Sequence, residues 1–476
     1  MNRRDFIANT SILASGIVLG AAHISRAAGQ GTSTFPVVRV PENKRHFKSV
    51  AVERTIEKVK SSIGNKELAW MFENCFPNTL DTTVEFEMID GRPDTYVITG
   101  DIDAMWLRDS SAQVYPYLPL MQDDKPLQQL IAGVINRQTR CVIKDPYANA
   151  FYKDESKVSE WKSDNTEMKP GVHERKWEID SLCYPIRLAY AYWRETGDVA
   201  PFDSAWRKAI DLTVQTFREQ QRKNGHGPYR FMRRTEIATD TVPGRGYGNP
   251  IRPVGLICSI FRPSDDATVF PFLIPSNYFA VVSLRQAAEM LESIHQDKAA
   301  AGRCRELAHE VEQALREYAV VHHPKAGRIF AFEVDAFGNY YCTDDGNIPS
   351  LLSLPYLGAV KPKDKTYQAT RRYLLSKDNP YYCIGKAANG LGGPHVGIDM
   401  IWPLGVIMQG LTSLKDAEIK ECLTTLQKTH AGTGFMHEAF HKDDPKKFTR
   451  SWFAWANTIF GELVLKTFHE KPELLS

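Results

Sequence analysis

From about residue 46 onward, apolar residues return every three or four positions, the period of helices that bury one face. The spacing predicts early helices over 49–62, 66–75, 104–120 and 126–141, and middle ones over 179–196, 204–221, 276–294 and 300–319. Late helices are predicted over 365–375, 399–409, 415–429 and 449–468. They fall into consecutive pairs, mostly with short connections inside a pair and longer Gly/Pro/Asp-rich loops between several pairs. Strand-like stretches at 82–89 and 95–99 flank Asp90-Gly91, a hairpin signal, and 328–334 and 339–342 flank a second turn at Phe337-Gly338. The fold class expected is all-α: an (α/α)6 barrel or toroid with small β-hairpin insertions, six inner helices wrapped by six outer ones. A solenoid has the same rhythm, but no self-similar repeat is found. No linker-like break interrupts residues 46–470, so a single domain is expected there. The loops 144–176 and 223–263 are long enough to carry function, and the Arg-, Thr- and Gly-rich stretch Tyr229–Tyr247 reads as a solvated lid.

The N-terminus stands outside this pattern. Arg3-Arg4 precede a run of small and apolar residues from Ile12 to Ala22, and Ser25-Arg26-Ala27 offers a small-x-small cleavage site. Residues 1–28 therefore read as a twin-arginine-type signal peptide, and 29–45, polar with Gly and Pro, as a linker. The expected location is periplasmic. Later in the chain no stretch reaches the roughly 18 apolar residues of a membrane span.

Composition narrows the partner. The net charge of +2, with no basic stripe or acidic tail, argues against nucleic acid and for a neutral substrate. Aromatics at 11%, with nine Trp, suit stacking on sugar rings as well as a large core. The eight Cys include no Cys-x-x-Cys, and contexts such as Leu182-Cys183-Tyr184 read as buried thiols. No coiled-coil or edge-strand signal is present, so a monomer is expected.

Hydrolysis of a neutral glycoside needs two carboxyls, one protonated to assist the leaving oxygen and one ionised to attack or to activate water. Three stretches place acids in fitting contexts. Asp103–Ser111 crowds Trp106, Arg108 and Asp109 at a helix entry, where Arg108 offers a rigid fork of donors and Asp109 accepts. A helix-dipole acid beside an ion pair accounts for the same residues. Phe261–Ala267 contains Asp265-Asp266, adjacent carboxylates whose repulsion raises one pKa, as a general acid requires; Ser264 or Asp265 as a helix cap is the plainer reading. Gly434–Ala439 carries His437-Glu438, which lacks the second His of a zinc-protease helix. The Gly-rich loop 390–397 presents His395, and Trp455 lies on an aromatic helix face near the C-terminus. Glu178 and Asp180 open a helix, where the helix dipole suffices to explain them. No spacing suits a metal.

Taken together, Asp103–Ser110, Phe261–Ala267, Leu273–Asn277, Gly392–His395, Ile401–Pro403, Gly434–Glu438 and Trp452–Asn457 resemble glycoside hydrolase family 125, the exo-α-1,6-mannosidases. The likeness spans about residues 45–468. It implies removal of non-reducing terminal α-1,6-linked mannose with inversion and without metal or other cofactor. By position it implies a general acid in the Ser-Asp-Asp motif, Asp265 ahead of Asp266, and Glu438 as general base. It implies substrate contacts from Trp106, Arg108, Asp109, Asp266, His395, His437 and Trp455. The alternatives are another inverting α-glycosidase of this fold or a non-catalytic glycan-binding toroid. A lyase for uronic acids would call for a basic cleft, which the near-neutral charge disfavours.

Overall fold

The computed structural model describes residues 35–476; the signal-peptide reading of 1–28 and the first part of the linker lie outside the described residues. Twelve of its helices form the frame. The first six are α1 (Val50–Ser62), α2 (Lys66–Cys75), α3 (Leu107–Val114), α4 (Lys125–Lys144), α5 (Ile179–Thr196) and α6 (Ser204–Gln220). The others are α7 (Ile274–His295), α8 (Lys298–Tyr318), α9 (Lys365–Leu374), α10 (Pro403–Leu411), α11 (Asp416–Thr429) and α12 (Ala454–Glu470). Many begin at side-chain caps written into the sequence. Ser49, Asn65, Asp124, Asp203, Asp297 and Asp364 each accept from a backbone N–H of the first turn, an interaction worth about 1 kcal/mol apiece.

The inner helices pack in sequence order, α3 on α5 and α5 on α7, while α10 packs on α12 and α12 returns to α3. The outer helices cover them, with α4 on α5 and α6, α8 on α7, α11 on α10, and α2 on α12. Between α8 and α10 the run of turns around Ser350–Val360 is buried against the ring: Tyr184 of α5 donates to the Ile348 carbonyl at 3.2 Å, and Tyr356 to Glu462 of α12 at 2.9 Å. The ring closes where Gly100 bridges Phe453. A Cβ at Gly100, whose φ is +129°, would sit 2.2 Å from the Trp452 carbonyl oxygen, so only glycine permits this closure.

Most predicted helices lie within a few residues of the observed ones; the exceptions have local causes. The stretch expected as one helix over 104–120 is a two-residue strand (Met105–Trp106), then α3, then a 3-10 segment Tyr115–Asp123 holding Pro116 and Pro119, which remove α-helical donors. The helix expected from 399 starts at Pro403, behind the strand Met400–Ile401. The helix expected from 449 starts at Ala454, because Asp444–Thr449 pairs with Ala439–His441. The first hairpin forms as predicted, Val84–Ile89 with Arg92–Val97, with φ of 50° at Asp90 and 76° at Gly91, the positive pair of a tight two-residue turn. Glu333–Val334 pairs with Tyr340–Tyr341 across the second turn, whereas Gly327–Phe330 folds back on Val320–His323. The described part of the expected linker is a packed strap. Phe35 stacks on Trp70 at 5.0 Å, Trp70 donates to the Pro36 carbonyl at 2.8 Å, and Arg39 pairs with Asp81 at 2.7 Å. All eight cysteines are unpaired thiols, six of them buried. Among the described residues no helix is long and apolar enough to cross a membrane.

Candidate active site

The candidate acids and their partners lie at the N-terminal ends of inner helices or in the loops that lead to them. Arg108 and Asp109 open α3, Glu178 and Asp180 open α5, Asp265 and Asp266 precede α7, His395 precedes α10, and Glu438 and Arg450 precede α12. Arranging the inner helices around a ring draws these segments together, and helix N-termini favour the carboxylates placed near them.

Arg108, buried, gathers one side of the site. Its Nη1 donates to Glu178 Oε2 at 2.6 Å and to Asp180 Oδ2 at 3.0 Å. Its Nη2 lies 3.5 Å from Asp265 Oδ1 and its Nε 3.5 Å from Asp109 Oδ2. Four carboxyls thus face one guanidinium. Burial pushes Asp109 up to about 6, partly offset by Arg108. Burial also raises Glu178 well above the carboxylate range, with Arg108 opposing and Asp265 adding to the shift. Glu178 and Asp180, read from sequence as dipole acids, are therefore partners of Arg108; Glu178 at the N-cap position makes no side-chain cap bond.

Asp265 occupies the turn of a tight loop closed by an antiparallel bridge between Phe261 and Ala267 and by Asp266 O accepting from Arg262 N at 2.8 Å. The expected helix cap is absent, since α7 begins only at Ile274. Asp265 has φ +66°, a left-handed conformation uncommon outside Gly, Asn and Asp. Two neighbours hold it there: Lys176 Nζ donates to its carbonyl at 2.9 Å and Asn149 Nδ2 to its Oδ1 at 3.3 Å. Its side chain keeps 22% exposure, whereas that of Asp266 has none. Asp266 accepts from Ser264 at 3.3 Å, and the same hydroxyl donates to Asp345 at 2.7 Å.

Facing them, Glu438 Oε1 lies 3.4 Å from Arg450 Nη1. Arg450 also pairs with Asp101 at 2.6 Å and donates to Thr99 at 3.1 Å. His395 spans the gap, with Nδ1 4.0 Å from Asp266 Oδ2 and Nε2 4.0 Å from Glu438 Oε1. One imidazole thus links Glu438 to Asp266, the neighbour of Asp265 in the same loop.

Trp106 stands beside this cluster, edge-on to His173 at 5.1 Å. Trp455 is buried in the ring interior near Tyr184 and Phe453. His437 differs from expectation. Its ring stacks on Phe448 at 3.7 Å and meets Thr433 at 3.5 Å, and burial lowers it to about 4, so it serves packing as a neutral ring. The stretch read as a solvated lid is solvated only in part, with Arg230, Arg234, Glu236 and Arg245 exposed. Arg233 within it is buried against Asp164 (2.6 Å), Glu174 (2.9 Å) and Asp240 (3.1 Å), and Tyr229 donates to the Arg175 carbonyl at 2.8 Å. Sequence reading missed Asn149, Lys176, Asp101 and Arg450. Of these only Arg450, in the Trp-rich run before α12, carried any local signal. Among the described residues no group of three or more His, Cys, Asp or Glu is arranged to hold a metal.

A helical toroid with opposed carboxyl groups at the mouth of its inner ring is the architecture of a glycoside hydrolase. The chain matches the family described as metal-independent α-mannosidases (GH125) over residues 65–465, and it belongs to that family. It is 42% identical over 465 residues to the meiotically up-regulated gene 157 protein of Schizosaccharomyces pombe, covering 94% of this chain and 91% of that protein. It is similar in structure to a Streptococcus pneumoniae α-mannosidase in a non-productive complex with α-1,6-mannobiose, at 41% identity and TM-score 0.85, covering 90% of this chain and all of that one. A bacterial glucoamylase bound to acarbose shares the fold at TM-score 0.51 and 13% identity, covering 88% of this chain and 59% of that one.

Proposed function

We propose that this α-mannosidase removes terminal α-1,6-linked mannose by a single displacement with inversion, Asp265 acting as general acid and Glu438 as general base. The observation that carries the reading is the convergence of the 261–267 and 434–438 loops on the two nitrogens of His395, each 4.0 Å from a carboxylate. Asp265 is chosen over Asp266 because its carboxyl is the accessible one of the pair and its backbone is strained into place, as functional residues often are. The exo mode suits carboxylates as buried as Glu438 and Asp266, which a chain end reaches more readily than an internal residue. The α-1,6 linkage rests on family membership and on the mannobiose bound by the pneumococcal relative.

In the reaction, Glu438 takes a proton from water as the water oxygen bonds to the anomeric carbon. The glycosidic C–O bond breaks with its electron pair going to oxygen, which receives the Asp265 proton. Arg450 holds Glu438 in place through their 3.4 Å contact. Trp106, Arg108, Asp109 and His395 border the place of the terminal mannose, and Trp455 backs it from the ring interior. Proton NMR of the sugar first released from α-1,6-mannobiose is the test: β-mannose is expected, and initial α-mannose overturns the scheme. Export through a twin-arginine signal belongs to the same proposal. Replacing Arg3 and Arg4 by Lys should leave the protein in the cytoplasm of a Gram-negative host, and unchanged export would refute it.

A further inference from the structure

We propose that Glu178 and Asp265 share one proton across the edge of Arg108, and that Glu178 is the positioning residue that keeps the general acid loaded at neutral pH. The inference rests on the reading of Asp265 as the acid. Arg108 binds Glu178 with Nη1 at 2.6 Å and faces Asp265 with Nη2 at 3.5 Å, so the carboxyls flank the two ends of one guanidinium. Glu178 Oε2 is satisfied by Arg108 and by Ser181 at 2.8 Å, while Glu178 Oε1 is buried with no donor. A carboxyl–carboxyl hydrogen bond supplies what that oxygen lacks, provided one of the two groups is protonated.

Charge counting points the same way. Around Arg108 stand Asp109, Glu178, Asp180 and Asp265. Lys176 is committed to Glu174, Asp240 and the Asp265 carbonyl, and buried His173 is lowered to about 4 by desolvation and so is neutral. Tyr229 faces Glu178 from the neighbouring loop as a neutral phenol, raised by burial. Four ionised carboxylates against one cation in a buried site are too costly, so at least one holds a proton. Two adjacent carboxyls titrate as a unit, and loss of their last proton is resisted by the charge already present. When Asp265 gives its proton to the leaving oxygen the pair becomes a dianion, which solvent reprotonates once product has left.

The test is the pH dependence of kcat/KM for Glu178→Gln on α-1,6-mannobiose and on an aryl α-mannoside with an activated leaving group. Gln keeps the shape and removes the charge, so Asp265 deprotonates more easily. The alkaline limb is expected to move down by about 1 pH unit or more, with a loss at pH 7 that is larger for the disaccharide than for the aryl substrate. Glu178→Asp should restore part of the limb. An unmoved alkaline limb in a folded, active Glu178→Gln enzyme overturns the shared proton. Asp265→Asn on the same two substrates reads the underlying assignment separately: an equal loss on both removes Asp265 as the acid, whatever the Glu178 variant does.

Discussion

The two sides of the site handle charge differently. On the Asp265 side, four carboxyls crowd a single guanidinium, Arg108, and burial raises Asp109, Glu178 and Asp180. On the Glu438 side, two carboxylates, Glu438 and Asp101, share Arg450, with His395 4.0 Å from Glu438. The surplus of carboxyls over guanidinium is three on the first side and one on the second, so the first favours holding protons more strongly. In the proposed mechanism the same residue type thus becomes acid or base according to how many other carboxyls compete for its cation.

The largest expected effect is on the Glu438 side. Glu438→Gln should lower kcat by roughly 10²–10⁴-fold while substrate binding persists. The loss should be the same for disaccharide and aryl mannosides, because the base acts on water, and a leaving-group-dependent loss would place Glu438 on the wrong side. Asp265→Asn should also cost up to about 10²–10⁴-fold on mannobiose, with much of it recovered on an activated aryl mannoside. Arg450→Gln should reduce kcat by about 10- to 100-fold with little change in KM, since the guanidinium orients Glu438; steady-state kinetics showing a pure KM effect would instead make Arg450 a sugar ligand. Smallest of all, His437→Gln should leave kcat within about threefold and lower thermal stability by about 1 kcal/mol through the lost stack on Phe448. A large kcat loss would return His437 to the site.

The sequence made the helices legible because their caps and periodicity are local: α2 and α5 fall on their predicted bounds. It could not show that Thr449 belongs to a strand, because the partner strand begins at Ala439 and only the tertiary pairing decides. The site divides along the same line. Asp265, Glu438, Arg108 and His395 stood in unusual local contexts and could be named. Glu178 and Asp180 were visible but looked like ordinary helix-start acids, since their real partner, Arg108, is about seventy residues away. Asn149 and Lys176 were invisible for the same reason: their work is to hold Asp265, across 116 and 89 positions of chain. His437 shows the converse, a residue beside Glu438 that stood out in sequence and whose ring stacks on Phe448.

The left-handed turn at Asp265 decides which substitutions make clean probes of this enzyme. Asparagine settles into that region of backbone space almost as readily as aspartate, whereas alanine resists it at a cost of about 1–2 kcal/mol. An alanine scan at 265 would therefore confound chemistry with geometry, displacing the loop that also carries Asp266 toward His395. Amide replacement separates the two, and any engineered variant of this position should begin from residues that tolerate the twist.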